Sequence, residues 1–248
     1  MSLQNQFALI TGGNSGIGFA IAQSFVQAGA SVAISGRNPE TLNRAVQELG
    51  PKAVGIQADI STDQGRNGLF EALAKKTKRL DILVVNAGQA QFRPLDQVDG
   101  AFFDNQFDTN VKGALFTVKE ALPFLGAGSS VLFISSVVKD RGFAGSSVYT
   151  ATKGAISAMV KALAAELGPQ GIRVNAISPG PIETPIFDKM EVPAEQKPAM
   201  KEGFASMVPL KRFGRPEEVA NVALLLSSSA GSYLHGVDIP VDGGLAQI

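Results

Sequence analysis

The chain contains no cysteine and only one histidine, His235. The lack of cysteine excludes disulfides, thiolate metal sites and a cysteine nucleophile. A single histidine argues against a histidine metal cage and against a histidine-based catalytic triad. We therefore expect no metal site, and any proton chemistry has to use other side chains.

Net charge and long apolar runs are also absent. The 22 lysines and arginines are balanced by 22 aspartates and glutamates, which leaves no basic footprint for nucleic acid and no polybasic membrane anchor. No apolar run reaches the ~18 residues of a membrane-spanning helix, and the N-terminus lacks the pattern of a signal peptide. These features predict a soluble, cytoplasmic protein without nucleic-acid or membrane partners.

What the sequence does contain is a regular alternation of two patterns. Short, β-branched apolar runs without clean alternation are typical of strands covered on both faces, and segments with three- and four-residue apolar spacing separate them. The runs predict strands at 7–11, 31–35, 53–57, 82–86, 130–135, 173–178 and 237–241, and the spacing predicts helices at 16–28, 39–50, 62–77, 101–122, 148–167 and 216–226. This order predicts an α/β fold, a single doubly wound Rossmann domain over 1–248, with a seven-stranded parallel sheet and helices on both faces.

One segment interrupts the alternation. Between about 180 and 209, prolines separate scattered apolar residues. A long irregular insertion in a compact domain is more often functional than structural. We interpret it as a substrate lid of one or two short helices.

The first predicted strand leads directly into "TGGNSGIG", Thr11 to Gly18. Glycines allow a phosphate to approach the backbone, and a following helix supplies N–H groups and partial positive charge. After the first strand of a doubly wound sheet, such a turn indicates a dinucleotide site. The turn lacks the Gly-Lys-Ser/Thr of a P-loop, which argues against ATP hydrolysis. The candidate cofactor residues here are Gly12, Asn14, Ser15, Gly16, Ile17 and Gly18.

The second strand ends in "SGRN", where an NAD site usually carries an acid for the ribose hydroxyls. Here Gly36 is followed by Arg37 and Asn38. A guanidinium can bind a 2′-phosphate through two hydrogen bonds, so this turn favours NADP(H) over NAD(H). The alternative is that Arg37 is an ordinary solvated base.

Two further strand ends supply cofactor candidates. Asp59, with Ile60 beside it, could accept from an adenine amino group, although Asp is also a common helix-cap residue. After the fourth strand, Asn86, Ala87 and Gly88 would let a cofactor lie against the strand ends.

Tyr149 and Lys153 are four residues apart, one helical turn, in a chain with only one other tyrosine. Side chains at this spacing lie on one helix face. Taken alone, the pair fits an ordinary exposed helix as well as a catalytic site.

The motifs "TGGNSGIG", "NAG", a serine ending the fifth strand, Y-x-x-x-K, "PG" and a final "VDGG" resemble the short-chain dehydrogenase/reductase family in order and spacing. The likeness covers essentially the whole chain. The "SGR" turn, "KEALPFL" and "SPGPIETP" look most like the branch of NADP-dependent ketone reductases and proteins called glucose dehydrogenases.

The resemblance implies a catalytic set. Tyr149 would be the proton donor and acceptor, with Lys153 beside it. Ser136 would bind the substrate oxygen, and Asn110 would hold a water in a proton relay. A free phenol has a pKa near ~10, and a neighbouring ammonium favours the phenolate.

The resemblance also implies further contacts. It adds Pro179, Gly180, Ile182 and Thr184 to the cofactor residues, together with Tyr149 and Lys153. Candidate pocket residues are Val138, Phe92, Phe143 and Phe187, which are apolar and suggest an uncharged ketone. The family implies a homotetramer formed through the helices at 101–122 and 148–167 and the C-terminal segment.

Three functions remain open. The leading one is an NADP(H)-dependent carbonyl reductase acting on a small ketone or secondary alcohol. The alternative is a 3-oxoacyl thioester reductase, which is put in doubt because "LGAGSS" (125–130) lacks the base that carrier-protein reductases have there. A third is a non-catalytic NADP(H) sensor or scaffold. His235 stands where the family usually has threonine, and the sequence gives it no role beyond that of a packed or surface imidazole.

Overall fold

A seven-stranded parallel sheet forms the centre of the molecule in the computed structural model, which describes residues 1–184, Glu195 and residues 197–248. The strands run in the order β3-β2-β1-β4-β5-β6-β7, and each agrees with its predicted range within one residue at either end. Their bounds are β1 Phe7–Thr11, β2 Ser31–Gly36, β3 Ala53–Gln57, β4 Ile82–Val85, β5 Ser130–Ile134, β6 Arg173–Pro179 and β7 Asp238–Val241. The predicted fold class is confirmed.

The strand order changes direction between β1 and β4. The chain builds β1, β2 and β3 toward one edge and then crosses back to place β4 on the other side of β1. At such a switch point the loops at the carboxyl ends diverge and open a crevice. The ends of β1 and β4 therefore form the floor of the candidate cofactor site.

Helices cover both faces of the sheet, as predicted. One apolar cluster packs α1, α2 and α8 against the sheet, and another packs α3, α5 and α6 against the opposite face. The described helices are α1 Gly16–Gln27, α2 Pro39–Leu49, α3 Asp63–Ala74, α4 Gly100–Phe107, α5 Ala114–Ala121, α6 Ser147–Leu167, α7 Lys197–Met207 and α8 Pro216–Ser227.

The prediction of a single helix at 101–122 was wrong in one respect. A π-helical turn, Asp108–Gly113, separates α4 from α5. The turn packs closely on the loop after β3, since a Cβ at Gly113 would lie 2.7 Å from the Ile60 carbonyl oxygen. The apolar spacing of Phe107, Val111 and Leu115 conceals the change, because side chains four residues apart share a face in an ordinary helix too. Such π turns often occur at functional sites.

The segment at 180–209 contains α7 in its described part. Pro181, Ile182 and Glu183 are tied by backbone hydrogen bonds and a β-bridge to Gly214. Phe187, predicted to line the pocket, lies outside the described residues. None of the helices in the described ranges has both the length and the apolar character needed to cross a bilayer.

Candidate active site

The glycine-rich turn after β1 is fastened to the end of β4. Asn86 Nδ2 donates to the carbonyl oxygens of Thr11 (2.9 Å) and Gly12 (3.1 Å). Gly12 has a φ of +65°, in the region that favours glycine. A Cβ at Gly18 would lie 2.4 Å from both Asn86 Nδ2 and the Gly12 oxygen. These glycines therefore let helix α1, the turn and β4 pack closely together.

The amino end of α1 can receive an anion. Ser15 at the N-cap is extended (φ −165°) and its side chain makes no cap hydrogen bond; the first turn of α1 holds no acid. Backbone N–H groups at a helix start have no intrahelical partner and attract negative charge. With the close approach that the glycines allow, this turn fits the pyrophosphate of a dinucleotide.

The end of β2 has no carboxylate. Gly36 is buried, and a Cβ there would lie 2.6 Å from Asn14 Oδ1. Asn14 is itself held by a 2.8 Å hydrogen bond from its Nδ2 to Thr41 Oγ1. Arg37 is exposed, and its guanidinium has no hydrogen-bond or ion-pair partner among the described residues. A cation is therefore available where a 2′-phosphate would lie.

Two cofactor candidates already have local partners. Asn38 Oδ1 accepts from Thr41 N at 3.0 Å and so caps α2. Asp59 Oδ1 accepts from both the backbone N–H and the hydroxyl of Ser61, at 3.0 and 2.7 Å. These bonds shape the adenosine end of the crevice, and they leave Asp59 Oδ2 and the Asn38 amide N–H groups for other partners.

The "NAG" stretch joins the cofactor end to the catalytic end. Thr11 Oγ1 accepts from the backbone N–H groups of Asn86 (3.0 Å) and Ala87 (3.1 Å). A Cβ at Gly88 would lie 3.2 Å from Asn110 Oδ1 and 3.8 Å from Lys153 Nζ. The loop after β4 thus passes directly between two of the candidate catalytic residues.

Asn110 lies in the π turn and is 2% exposed. Its Oδ1 accepts from Gln89 N at 2.9 Å, and its Nδ2 donates to Gln89 O at 2.8 Å and Thr152 Oγ1 at 3.1 Å. Both amide hydrogens are therefore used by protein groups. The side chain thus holds the loop after β4 against α6.

Tyr149, Lys153 and Ser136 come together at the carboxyl end of β5. Ser136 follows β5, and its hydroxyl hydrogen-bonds the Tyr149 phenol and accepts from Val138 N at 3.3 Å. Lys153 is 7% exposed; its Nζ donates to the Ile134 carbonyl at 2.8 Å and lies 5.7 Å from the centre of the Tyr149 ring. Helix α6, which begins at Ser147, presents both side chains toward the end of β5.

Burial changes the acidity of both groups. It raises the pKa of the Tyr149 phenol from 10.0 to about 12, against a smaller opposing effect of the Ser136 hydrogen bond. It lowers the pKa of the Lys153 ammonium from 10.5 to about 8, and the negative charge of Asp238 partly opposes that decrease. At neutral pH the phenol is therefore a neutral proton donor beside a protonated but destabilised ammonium.

Of the candidate pocket residues in the described ranges, Phe92 is in ring contact with Tyr149. The Phe92 ring meets the Tyr149 ring edge-on, with centroids 5.8 Å apart. Phe143 packs against Phe204 of α7 at 6.4 Å and against the cluster of Val137, Val208 and Leu245. Val138 is partly exposed on the turn after β5.

The remaining cofactor candidates follow β6. Pro179 ends the strand, and a Cβ at Gly180 would lie 2.7 Å from Asp242 Cα. Ile182 is 4% exposed, and Thr184 Oγ1 donates to the Ile182 carbonyl at 3.3 Å. All of them lie at the same edge of the sheet as Tyr149, because parallel strands end on one side.

Sequence reasoning missed the residues that hold the loop before Phe92. Gln106 is fully buried, and its Oε1 accepts from Gln91 N at 3.2 Å. Gln106 and Asn110 are four residues apart, so they fix neighbouring parts of the same loop. The available signal was a pair of amides on the apolar face of a helix.

A cavity of roughly 530 Å³ lies at the amino ends of the strands, and its lining includes Arg173 and His235. None of the candidate catalytic residues contributes to it. His235 Nδ1 accepts from Val174 N (3.1 Å), and its Nε2 lies 2.8 Å from the Ala164 carbonyl oxygen. His235 is exposed, and its imidazole joins α6, β6 and the approach to β7 at the surface.

Comparison with known proteins agrees with this arrangement. A family model described as enoyl-(acyl carrier protein) reductase matches residues 12–246. The chain is 40% identical to oxidoreductase asL5 of Sarocladium schorii, over 99% of this chain and 98% of that protein.

Two solved structures are similar over nearly their whole length. A 3-ketoacyl-(acyl-carrier-protein) reductase from Brucella melitensis, in complex with NADH, has a TM-score of 0.90 at 31% identity and covers 99% of this chain and 100% of its own. RhlG of Pseudomonas aeruginosa, in complex with NADP, has a TM-score of 0.90 at 33% identity and covers 99% and 98%. With its candidate catalytic groups assembled at the carboxyl ends of the strands of a Rossmann sheet, the chain belongs to the short-chain dehydrogenase/reductase family and is an oxidoreductase.

Proposed function

We propose that the protein is an NADP(H)-dependent carbonyl reductase that converts an uncharged ketone into a secondary alcohol, and the reverse. The observation that carries this proposal is the Tyr149 phenol. It is hydrogen-bonded by Ser136, and its pKa is raised to about 12. It lies one helical turn from a buried lysine and against the ring of Phe92. This arrangement suits proton donation to an oxygen that gains negative charge.

In the reductive direction, the Ser136 hydroxyl donates to the carbonyl oxygen of the substrate and orients it. The hydride for the carbonyl carbon would come from a bound nicotinamide. As charge builds on the oxygen, Tyr149 transfers its phenolic proton to it. The Lys153 ammonium stabilises the phenolate that remains. Asn110 keeps the loop after β4 against α6, and so holds Tyr149 and the cofactor crevice in register.

The preference for NADP(H) rests on the end of β2. An acid at residue 36 would collide with Asn14, whose Oδ1 would be 2.6 Å from the new Cβ. The guanidinium of Arg37 is exposed and has no partner among the described residues, so it is available to bind a 2′-phosphate. The NADP held by the Pseudomonas neighbour is consistent with this preference, while the NADH of the Brucella neighbour shows that the fold accepts both.

A small ketone is favoured over a carrier-bound thioester because of the loop before β5. The loop at 125–130 has no base of its own. Arg79 reaches it and donates to the Ala127 carbonyl at 2.9 Å, but its guanidinium is paired with Asp81 at 2.9 Å. A neutralised surface offers little attraction to an acidic carrier protein.

We also propose that the protein forms a homotetramer. Phe103, Leu115 and Leu122 are between 37% and 41% exposed on the α4–α5 segment, and the Phe103 ring stacks on Phe107 with centroids 4.3 Å apart. An apolar stripe of this kind is typical of a surface covered by a second copy. Light scattering tests it, and a monomer at micromolar concentration would contradict it.

The catalytic assignment is tested by Tyr149→Phe. We expect ketone reduction with NADPH to fall about a hundred- to ten-thousand-fold, because the proton donor is lost, while NADPH binding followed by fluorescence is kept. Tyr233→Phe is the matched control, since Tyr233 is fully exposed and its loss should leave turnover unchanged. Full turnover in Tyr149→Phe would sink the assignment, and a parent protein that binds NADPH but reduces no ketone in a broad panel would favour the sensor or scaffold.

The cofactor preference is tested by Arg37→Glu. We expect kcat/KM for NADPH to fall about ten- to a hundred-fold, as for loss of a charge-assisted pair, with little change for NADH. Arg44→Glu on the exposed face of α2 makes the same charge change away from the crevice, and serves as the control. Equal losses for NADPH and NADH would contradict a role for Arg37 in reading the 2′-phosphate.

A further inference from the structure

A polar network lies beneath Lys153 and ends at a carboxylate on β7. Ser157 Oγ donates to Asp238 Oδ2 at 2.6 Å, and Ser178 Oγ donates to Asp238 Oδ1 at 2.6 Å. Ser135 Oγ lies 3.0 Å from Ser157 Oγ and 3.2 Å from the Lys153 carbonyl oxygen. Since the single proton of Ser157 goes to the carboxylate, Ser135 is the donor toward Ser157 or Lys153. The network therefore connects the end of β5 and the helix turn of Lys153 to Asp238.

Within the described ranges, the carboxylate of Asp238 has one cation at ion-pair distance. Lys139, on the turn after Ser136, places its Nζ 3.6 Å from Asp238 Oδ2 and also pairs with Asp140. The side chains of Lys139 and Asp238 are 15% and 14% exposed. Charges this far from water are weakly screened, and they act on neighbours over several ångströms.

The Lys153 ammonium needs a counter-charge that its direct contacts do not supply. Its Nζ donates to a neutral backbone carbonyl, that of Ile134. Within the described ranges, Asp238 is the carboxylate whose charge acts on it. A buried ammonium without a nearby anion tends to lose its proton, and a neutral lysine would not stabilise a Tyr149 phenolate.

We propose that Asp238 is a positioning residue of the catalytic centre, which keeps the buried Lys153 ammonium charged, and that Lys139 limits this effect by pairing with Asp238. The inference rests on the proposed function only for its kinetic consequence. The chemistry assigned to Tyr149, Ser136 and Lys153 is unchanged, and Asp238 acts through Lys153 without touching the substrate.

Few other charges face Lys153. Tyr149 faces it from the same helix, and Asp238 acts on it from β7. The ammonium of Lys139 lies beyond Asp238. In the described part of the chain, the π turn and the loop after β4 present the Asn110 amide and the Gly88 backbone, neither of which titrates. A shift of the Lys153 titration on changing Asp238 or Lys139 can therefore be interpreted directly.

The test uses two substitutions with opposite expected signs. In Asp238→Asn the titration midpoint of Lys153 should fall by about half a pH unit or more, because its counter-charge is lost. In Lys139→Gln the midpoint should rise, because Asp238 is no longer paired. Ser178→Ala removes a hydrogen bond to Asp238 but keeps its charge, and is expected to leave the midpoint close to that of the parent.

Two measurements separate this inference from the proposed function. In the full-length free protein, NMR of lysine labelled at Cε follows the titration, with Lys153→Met used to assign the signal. In the NADPH-dependent reduction of a ketone, the alkaline limb of kcat/KM should move in the same directions. If no ketone is reduced but the NMR midpoints move as expected, the proposed function fails and the role of Asp238 stands.

Other outcomes overturn the inference. An unchanged Lys153 midpoint in Asp238→Asn contradicts it, as does a shift of the same sign in Asp238→Asn and Lys139→Gln. A uniform loss of kcat without movement of the alkaline limb would indicate a merely structural role. If Asp238→Asn does not fold, Lys139→Gln decides alone, since a midpoint that stays put or falls refutes the pairing.

Discussion

The buried Lys153 ammonium should cost the free protein stability, and the substitution Lys153→Met measures that cost. The side chain is 7% exposed, and burial lowers its pKa from 10.5 to about 8. Between these two values the unfolded chain binds more protons than the folded one. Stability must therefore rise with pH across this window, since a group with a lowered pKa disfavours the folded state while it is protonated.

The size of the effect follows from the two pKa values. With a pKa of 10.5 in the unfolded chain and about 8 in the folded protein, the protonated lysine costs about 3 kcal/mol of stability at pH 7 and less than about 1 kcal/mol at pH 10. Methionine has no such term. The free energy of unfolding of the parent, relative to Lys153→Met, should therefore increase by about 2.5 kcal/mol from pH 7 to pH 10. The lost hydrogen bond to Ile134 adds an offset that does not depend on pH above the folded pKa.

Urea denaturation of both proteins without cofactor, at pH 7, 8.5 and 10, measures this difference. Lys161→Met is the matched control, because Lys161 lies on the same helix with its side chain exposed; its difference from the parent should stay flat. A flat difference for Lys153→Met, changing by less than about 1 kcal/mol over the same range, would refute a desolvated ammonium at this position.

Three further substitutions test the glycine-rich turn, the Phe92 ring contact and a buried arginine. Gly18→Ala should weaken NADPH binding at least about tenfold in calorimetry, since its Cβ would lie 2.4 Å from Asn86 Nδ2; unchanged affinity would show that the turn yields freely. Phe92→Ala should raise KM for an aromatic ketone several-fold, about 1 kcal/mol of lost ring contact, with denaturation unchanged; an unaltered KM would remove Phe92 from the pocket. Arg66→Met should destabilise the fold by about 3 kcal/mol in urea, because Arg66 is 1% exposed and donates to Glu120 at 3.2 Å; a change below about 1 kcal/mol would contradict a buried ion pair.

The sheet and the glycine-rich turn could be predicted because each depends on nearby residues. Seven apolar runs without alternation indicate strands covered on both faces, and their order along the chain fixes a parallel sheet once right-handed crossovers are assumed. The glycines of Thr11–Gly18 are required by a backbone that passes within contact of Asn86. Local spacing carries both signals.

The π turn at Asp108–Gly113 could not be predicted in the same way. Its apolar residues keep a spacing that an ordinary helix also has, so the inserted turn leaves no trace in the pattern. The turn depends on packing against the Ile60 carbonyl, which comes from another part of the chain. The partners of the Asn110 side chain could not be predicted for the same reason, because Gln89 and Thr152 come from other parts of the chain.

The hydrogen-bond network from Ser135 to Asp238 could not be predicted from the sequence for a related reason. Ser157 and Asp238 are 81 residues apart, and Ser178 and Asp238 are 60 apart. Serines at strand ends and on helices are common, and no spacing relates these three elements. The pairing of β6 with β7 brings the carboxylate to the α6 side chain of Ser157.

The two scarcest ionisable side chain types of the chain, its single histidine and its two tyrosines, show why composition alone cannot assign a proton donor. Histidine is usually the first candidate, because its pKa is closest to neutrality. Here Nδ1 of His235 accepts a backbone N–H and Nε2 faces a backbone carbonyl, in a region that none of the candidate catalytic residues lines. Tyr149, by contrast, bonds to the Ser136 hydroxyl at the carboxyl end of β5, beside the candidate cofactor crevice. The candidate proton donor is therefore indicated by where an ionisable group lies in the fold and by its hydrogen-bond partners, and composition gives neither.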